Sequence, residues 1–239
     1  MSPNTWTPPA VSSEARPWSA RAWRIVEAQH IAATMKLVDD AFEQDLLESL
    51  LEGSKPRPPS DPRGLDYLLA SPFRYAPPAG GSRFRGEIDS GVFYGAESVR
   101  TACAELGYWR WRFLSDAVEL ERLEPVLHTA FCVRVSCLAV DLRSAPFAVD
   151  AAAWTSPGDY SASQSLARAA REAAVGGIVY QSVRDPQPAW CVAVLTPEAF
   201  ARPKPEPVVQ SWWISVQAEG VIWRRDSESL EFAADFWRF

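Results

Sequence analysis

Residues 81–113 read GSRFRGEIDSGVFYGAESVRTACAELGYWRWRF. The stretch opens with a basic loop flanked by glycines. GVFYGA (91–96) follows, a short apolar run with the character of a buried strand. Ser98 then offers a helix N-cap. Behind it Val99, Ala102, Cys103, Leu106, Trp109 and Phe113 recur at helical spacing, which predicts a core stripe. Loop, strand and helix in this order bring three polar side chains close together. Glu105 falls at the flank of the stripe, beside Ala102 and Trp109, where a carboxylate at the rim of the core can face a cleft. The competing reading is a solvated acid paired with Arg112. Tyr94 ends a strand just before a helix start, a common place for ligands; a core tyrosine with its hydroxyl at the surface is the alternative. Arg83 and Arg85 either clamp phosphates or sit in solvent, and Phe84 between them anchors the loop in both cases.

Around this stretch the chain has the means to bury a core. It is 239 residues long and 47% hydrophobic, which suits one large domain, alone or with an extension. A formal net charge of -6 argues against a duplex nucleic-acid binder. Lys36, Lys55 and Lys204 are the only lysines, so arginine carries nearly all the positive charge. Cys103, Cys132, Cys137 and Cys191 form no CxxC pair, and only His30 and His128 could join them, so no metal site is expected and the cysteines read as buried free thiols. No apolar run is long enough to span a bilayer and no signal peptide is evident, which leads to an expected cytoplasmic setting without a membrane.

Along the rest of the chain, residues 1–19 read as a flexible leader and 20–239 as the domain, with an insertion at about 34–72. AWRIVEAQH (22–30) has strand or short-helix character, and 34–53 has helical spacing. The proline-rich 54–63 is a linker or surface loop. Residues 126–142 alternate as a strand or bent pair. An alanine-rich helix spans 163–175 and stops at Gly176-Gly177. Strands at 177–183 and 189–195 precede a hairpin centred on Glu219-Gly220 within 208–225. Trp109, Trp111, Trp212 and Trp213 are core or interface residues. The fold class is α+β.

Taken together, Arg83-Phe84, GVFYGAESVRTACAE with Tyr94 and Glu105, and SQSLARAAREAAVGGIVYQSVRD with Gln164 and Ser182 resemble the RES domain. WRIVEAQH, with Arg24, looks like that family's opening strand, so the resemblance spans about 22–224. The usual GGRWN loop stands here as GGSRFRG, which leaves Arg83 or Arg85 as the family arginine, with Arg83 preferred because it directly precedes the aromatic. The resemblance implies an ADP-ribosyltransferase-like mixed β core with surrounding helices. It implies a toxin of a toxin–antitoxin pair that depletes NAD by cleaving the nicotinamide–ribose bond, as glycohydrolase or phosphorylase. NAD is then substrate rather than cofactor, with inorganic phosphate a possible co-substrate, and a helix-turn-helix antitoxin is the implied partner. Arg83, Tyr94, Glu105 and Ser182 become the expected catalytic residues, and Arg85, Gln164 and Arg74 the expected substrate ligands. The alternatives are ADP-ribosyl transfer to a protein and a non-catalytic binding module. Oligomeric state stays open.

Overall fold

The structure is a computed structural model that describes residues 6–28, 40, 42–43, 46–47, 50, 64–77, 79–117 and 119–238. The expected helix at 34–53 and the proline-rich 54–63 lie largely outside these residues, as does His30.

Eight strands make one sheet: β1 (Arg16–Glu27), β2 (Phe93–Ala96), β3 (Arg122–Asp141), β4 (Gly177–Gln181), β5 (Trp190–Val194), β6 (Val209–Gln217), β7 (Gly220–Arg225) and β8 (Glu228–Ala233). The helices are α1 (Pro8–Glu14), α2 (Tyr67–Arg74), α3 (Val99–Asp116), α4 (Ala151–Trp154) and α5 (Ser161–Glu172). The α+β expectation holds. The 20-residue β3 is one continuous strand, not a bent pair. Its register explains the architecture. β1 pairs antiparallel with it from Glu27↔His128 to Arg16↔Ala139. β6 takes Arg122 to Phe131, and β4 pairs in parallel from Ala139 to Asp141. The pairings β1–β2, β2–β5, β5–β4, β4–β3 and β3–β1 therefore close a ring, with β6, β7 and β8 extending from it.

The ring is weakest where β1 meets β2, at the single pair Trp23↔Ala96. No second pair joins the two strands among the described residues. Gly95 permits the contact, since a Cβ there would sit 2.8 Å from Ala22 Cβ. That gap in the pairing is where a cleft opens.

Both faces of β4 and β5 are buried, which is why GIVY and CVAV are almost wholly apolar. Ile178, Tyr180, Cys191 and Ala193 pack on the side of α3 and α5. Val179, Val192 and Val194 join Phe93, Phe131, Phe200 and Leu69 of α2 on the other. Burying each such side chain contributes about 1.5–3 kcal/mol.

Ser98 caps α3 as expected, its Oγ accepting from Thr101 N–H at 3.1 Å. The predicted stripe is buried in part: Ala102 and Cys103 are in the core and Val99 and Leu106 pack against it, but the buried face extends beyond the stripe on one side and leaves its far end out. Ala104, Gly107, Tyr108, Trp111 and Leu114 are buried, whereas Trp109 and Phe113 are 48% and 58% exposed. The helix approaches the sheet through Gly107, whose Cβ position lies 3.3 Å from Trp223 Nε1, and that close approach selects the face. Trp111 and Trp212 are thus core, and Trp109 and Trp213 surface.

The expected leader is a structural element over its described part. Pro8 starts α1, Val11 is fully buried, and Trp6 stacks on Phe147 at 4.2 Å while donating to Asp150. Apolar anchors at 6 and 11 outweigh the Pro/Ser/Thr composition of this segment. Two more differences are simple. α2 carries Pro72 internally, and a third strand, β8, follows the predicted hairpin. All four cysteines are free, with Cys137 the least buried. Among the described residues, no helix is long and apolar enough to cross a membrane.

Candidate active site

The cleft between β1 and β2 has a volume of about 210 Å³. β1 supplies Trp23, Arg24 and Ile25 to its lining, and β2 supplies Tyr94, Gly95 and Ala96. Glu105, Leu106 and Trp109 of α3 also line it, with Ser82, Arg83, Tyr160, Tyr180, Arg184 and Cys191. Three arginines and one glutamate therefore line the same cleft.

The loop before β2 is tied down at many points. Ser82 and Arg85 exchange two backbone hydrogen bonds across a tight turn. Gly81 enters it with φ 74, where a Cβ would meet Arg85 O at 2.1 Å, so glycine is required. Tyr94 holds the turn from β2. Its hydroxyl accepts from Phe84 N–H at 3.0 Å and shares a proton with Ser82 Oγ at 2.8 Å. Burial pushes the phenol pKa up, so Tyr94 stays neutral at physiological pH.

The turn sends its two arginines apart. Arg83, 8% exposed, enters the cleft, donates to the carbonyls of Trp154 and Ser156 at 2.8 Å each, and lies 4.8 Å from the Tyr160 ring centroid. No carboxylate pairs with it among the described residues. Arg85 donates to Tyr75 O and Asp89 O and is outside the cleft lining. Gln164 is also a staple: its amide nitrogen reaches the carbonyls of Gly80, Ser82 and Arg85 at 3.2, 3.0 and 3.4 Å. Arg74, at the end of α2, does not line the cleft. The expected ligands Arg85, Gln164 and Arg74 are thus not among the residues that line the cavity, though Gln164 bonds the lining residue Ser82. Arg85 and Gln164 donate to backbone carbonyls, and Arg74 lies in the last turn of α2.

Glu105 reaches the cleft from α3, and Ser182 stands behind it. Ser182 Oγ donates to Glu105 Oε1 at 2.6 Å and accepts from Arg184 N–H and Asp185 N–H at 3.3 and 3.1 Å. A hydroxyl has one proton and two acceptor positions. Both acceptor positions are taken by amides, so the proton is committed to the carboxylate. The Cys191 thiol, 3.7 Å away, faces the same oxygen, and burial followed by that carboxylate drives its pKa well up. Oε2 has no protein partner among the described residues and is left for the cleft.

Two further arginines line the cleft, of which Arg24 is marked in the sequence only by its place in the expected opening strand. Arg24 sits in an apolar strand; it donates to Tyr94 O at 3.1 Å and stacks 4.8 Å from the Phe93 centroid. Burial lowers its pKa to about 10, which still leaves it cationic at neutral pH. Arg184 is 1% exposed, donates to Pro157 O at 2.6 Å and Tyr160 Oη at 3.2 Å, and lies 3.5 Å from the Tyr108 centroid. Only its place two residues after Ser182 could have pointed to it. The result is a mostly apolar cavity with clustered positive charge and one oriented carboxylate, suited to a polyanion that carries a ring and develops positive charge beside Glu105.

Comparison with known proteins gives two findings. The family model described as RES domain matches residues 56–217, more than half of the chain, and takes in Arg83, Tyr94, Glu105, Gln164 and Ser182. Among solved structures, the chain is similar to one from the M. tuberculosis MbcT–MbcA toxin–antitoxin complex, at 14% identity and a TM-score of 0.46, over 93% of this chain and 89% of that one. No curated protein matches it in sequence.

Proposed function

The chain belongs to the RES domain family, and on that premise we propose that its cleft binds NAD⁺ and cleaves the nicotinamide–ribose bond. The observation that carries the reading is the Glu105 carboxylate, held on one oxygen by Ser182 and open on the other, in a cleft that three arginines also line. The cavity is smaller than the roughly 300–1,000 Å³ usual for drug-sized ligands. It would take the nicotinamide riboside half and its adjoining phosphate, with the rest of the dinucleotide extending out of the cleft.

In this reaction the C–N bond breaks and its electron pair goes to the pyridinium nitrogen. Nicotinamide leaves neutral, so no general acid is needed. The ribose is left as an oxocarbenium-like cation, as in glycoside cleavage. Glu105 Oε2 would hydrogen-bond the ribose hydroxyls and stabilise that cation. Arg83, with Arg24 and Arg184, would neutralise the pyrophosphate. Tyr94 would shape the base or ribose pocket through its ring, because its hydroxyl is engaged by the loop. Ser182 acts by holding Glu105. Water attack yields ADP-ribose and a proton; phosphate attack yields the 1″-phosphate. A protein acceptor would give ADP-ribosyl transfer instead. Purified protein with labelled NAD⁺, with and without phosphate, separates the three by where the label ends.

Such an activity depletes the producing cell's own NAD, so the proposal includes a toxin role and a cognate antitoxin that covers the cleft in the cytoplasm. Exposed Trp109 at the cleft, with Phe113 one turn further along α3, would suit that contact.

A further inference from the structure

We infer that Asp185 and Thr101 are positioning residues that fix Glu105 through Ser182; the catalytic consequence rests on the NAD⁺ reading of the cleft. Asp185 is 4% exposed and is the one buried carboxylate among the described residues. It is well partnered. Oδ2 accepts from Thr101 Oγ1 at 3.0 Å; Oδ1 accepts from Gln187 N–H at 3.1 Å and faces Arg100 Nε at 3.3 Å. Its own N–H donates to Ser182 Oγ.

The proton directions are determined. A carboxylate only accepts, so the Thr101 hydroxyl proton goes to Asp185. Ser98 Oγ, 3.0 Å from Thr101 Oγ1, must then donate to Thr101. Thr101 and Glu105 are four residues apart on α3 and share a face. A closed circuit results. The helix holds Asp185, Asp185 holds the turn after β4, the turn orients the Ser182 hydroxyl, and that hydroxyl returns to the helix at Glu105. A buried carboxylate is costly for packing alone. Here its charge locks the turn to the first turn of α3, and that sets where Glu105 Oε2 points.

The test compares Thr101→Val, which keeps the β-branched shape without the hydroxyl, with Thr101→Ser, which restores it. Asp185→Asn is the second disruptive variant and carries the test if Thr101→Val does not melt cooperatively. Thr101→Val and Asp185→Asn are expected to lower kcat for NAD⁺ loss about tenfold, the worth of one hydrogen bond, with KM within about twofold of the parent because the ground-state contacts are untouched. Thr101→Ser should return kcat to near the parent. Thr101→Val/Ser182→Ala should be no slower than Ser182→Ala alone, since the effect runs through Ser182. Crystal structures read the same claim without catalysis: in Thr101→Val the Ser182–Glu105 contact should open while α3 and β4 superpose on the parent. An intact contact in both disruptive variants, or additive losses in the double variant, would overturn the inference. An opened contact in a protein whose parent consumes no NAD⁺ would uphold the positioning and sink the substrate assignment alone.

Discussion

Replacing Ser182 by alanine removes one oxygen and three hydrogen bonds. The bond to Glu105 is 2.6 Å long and ends on a charged acceptor. Hydrogen bonds to charged groups are worth about 1.5–3 kcal/mol. If Glu105 must be oriented only as charge develops on the ribose, that loss falls on kcat. At about 1.36 kcal/mol per tenfold, the expected slowing is roughly 10- to 150-fold with KM little changed. Stability should fall too, because the Arg184 and Asp185 amides lose their acceptor in a buried turn, at about 2 kcal/mol or more together. Steady-state kinetics of NAD⁺ loss, beside urea unfolding of the same preparations, separates the two effects. Ser182→Thr, which keeps a hydroxyl, should recover part of the rate. A Ser182→Ala enzyme with parent kcat would refute the view that this hydroxyl orients Glu105. Raised KM with unchanged kcat would instead make Ser182 a ground-state ligand.

Further expectations concern charge, pH and packing. Arg83→Lys should raise KM for NAD⁺ roughly tenfold or more, since an ammonium lacks the planar fork that holds Trp154, Ser156 and a phosphate together; Arg85→Lys, on a loop staple, should leave KM near the parent and lower the melting temperature. His128 is fully buried, its pKa lowered by burial, and its Nδ1 faces Val126 O, with the Arg110–Glu27 pair nearby. Below the unfolded-state pKa of about 6.5 the unfolded chain binds the extra proton, so stability contributed by neutral His128 is full above that pH and is lost as pH falls toward the folded value. Denaturant titrations from pH 8 to 5 should show this slope, and His128→Gln should flatten it. Trp212→Ala should cost about 3–5 kcal/mol of stability, whereas Trp213→Ala, at a half-exposed neighbour, should stay within about 1 kcal/mol.

How far the sequence carries the reader differs from element to element. The cap at Ser98 was legible because a serine before an apolar run has a specific job, accepting a free helix amide. The buried face of α3 was legible only in part: Ala102 and Cys103 of the expected stripe are buried, Trp109 and Phe113 are not. Apolar residues occur almost all round it, at Val99, Ala104, Leu106, Tyr108, Trp111 and Phe113, so periodicity allows more than one face and the sheet decides. β8 was hidden because ESLEFA has one face in solvent and reads as polar chain. At the site, Arg83, Tyr94, Glu105 and Ser182 were found as a pattern and do gather at one cleft, three lining it and one behind. Arg85 and Gln164 look equally functional in sequence, yet both donate to backbone carbonyls at the loop and neither lines the cleft, a fact that only three-dimensional geometry supplies. Arg24 and Arg184 are the converse. Arg24 is a charge in an apolar strand, marked in the sequence only by its place in the expected opening strand, and Arg184 is a charge in a turn with no such mark; the ring of strands brings both to the cleft.

The most direct test is loss of NAD⁺ in the presence of purified parent protein and of Glu105→Ala, with and without phosphate. The parent should consume NAD⁺ and release nicotinamide, and Glu105→Ala should be slower by on the order of 10²–10³ while still folded. A parent protein that leaves NAD⁺ intact in both buffers, or a folded Glu105→Ala protein that matches the parent rate, would contradict the account.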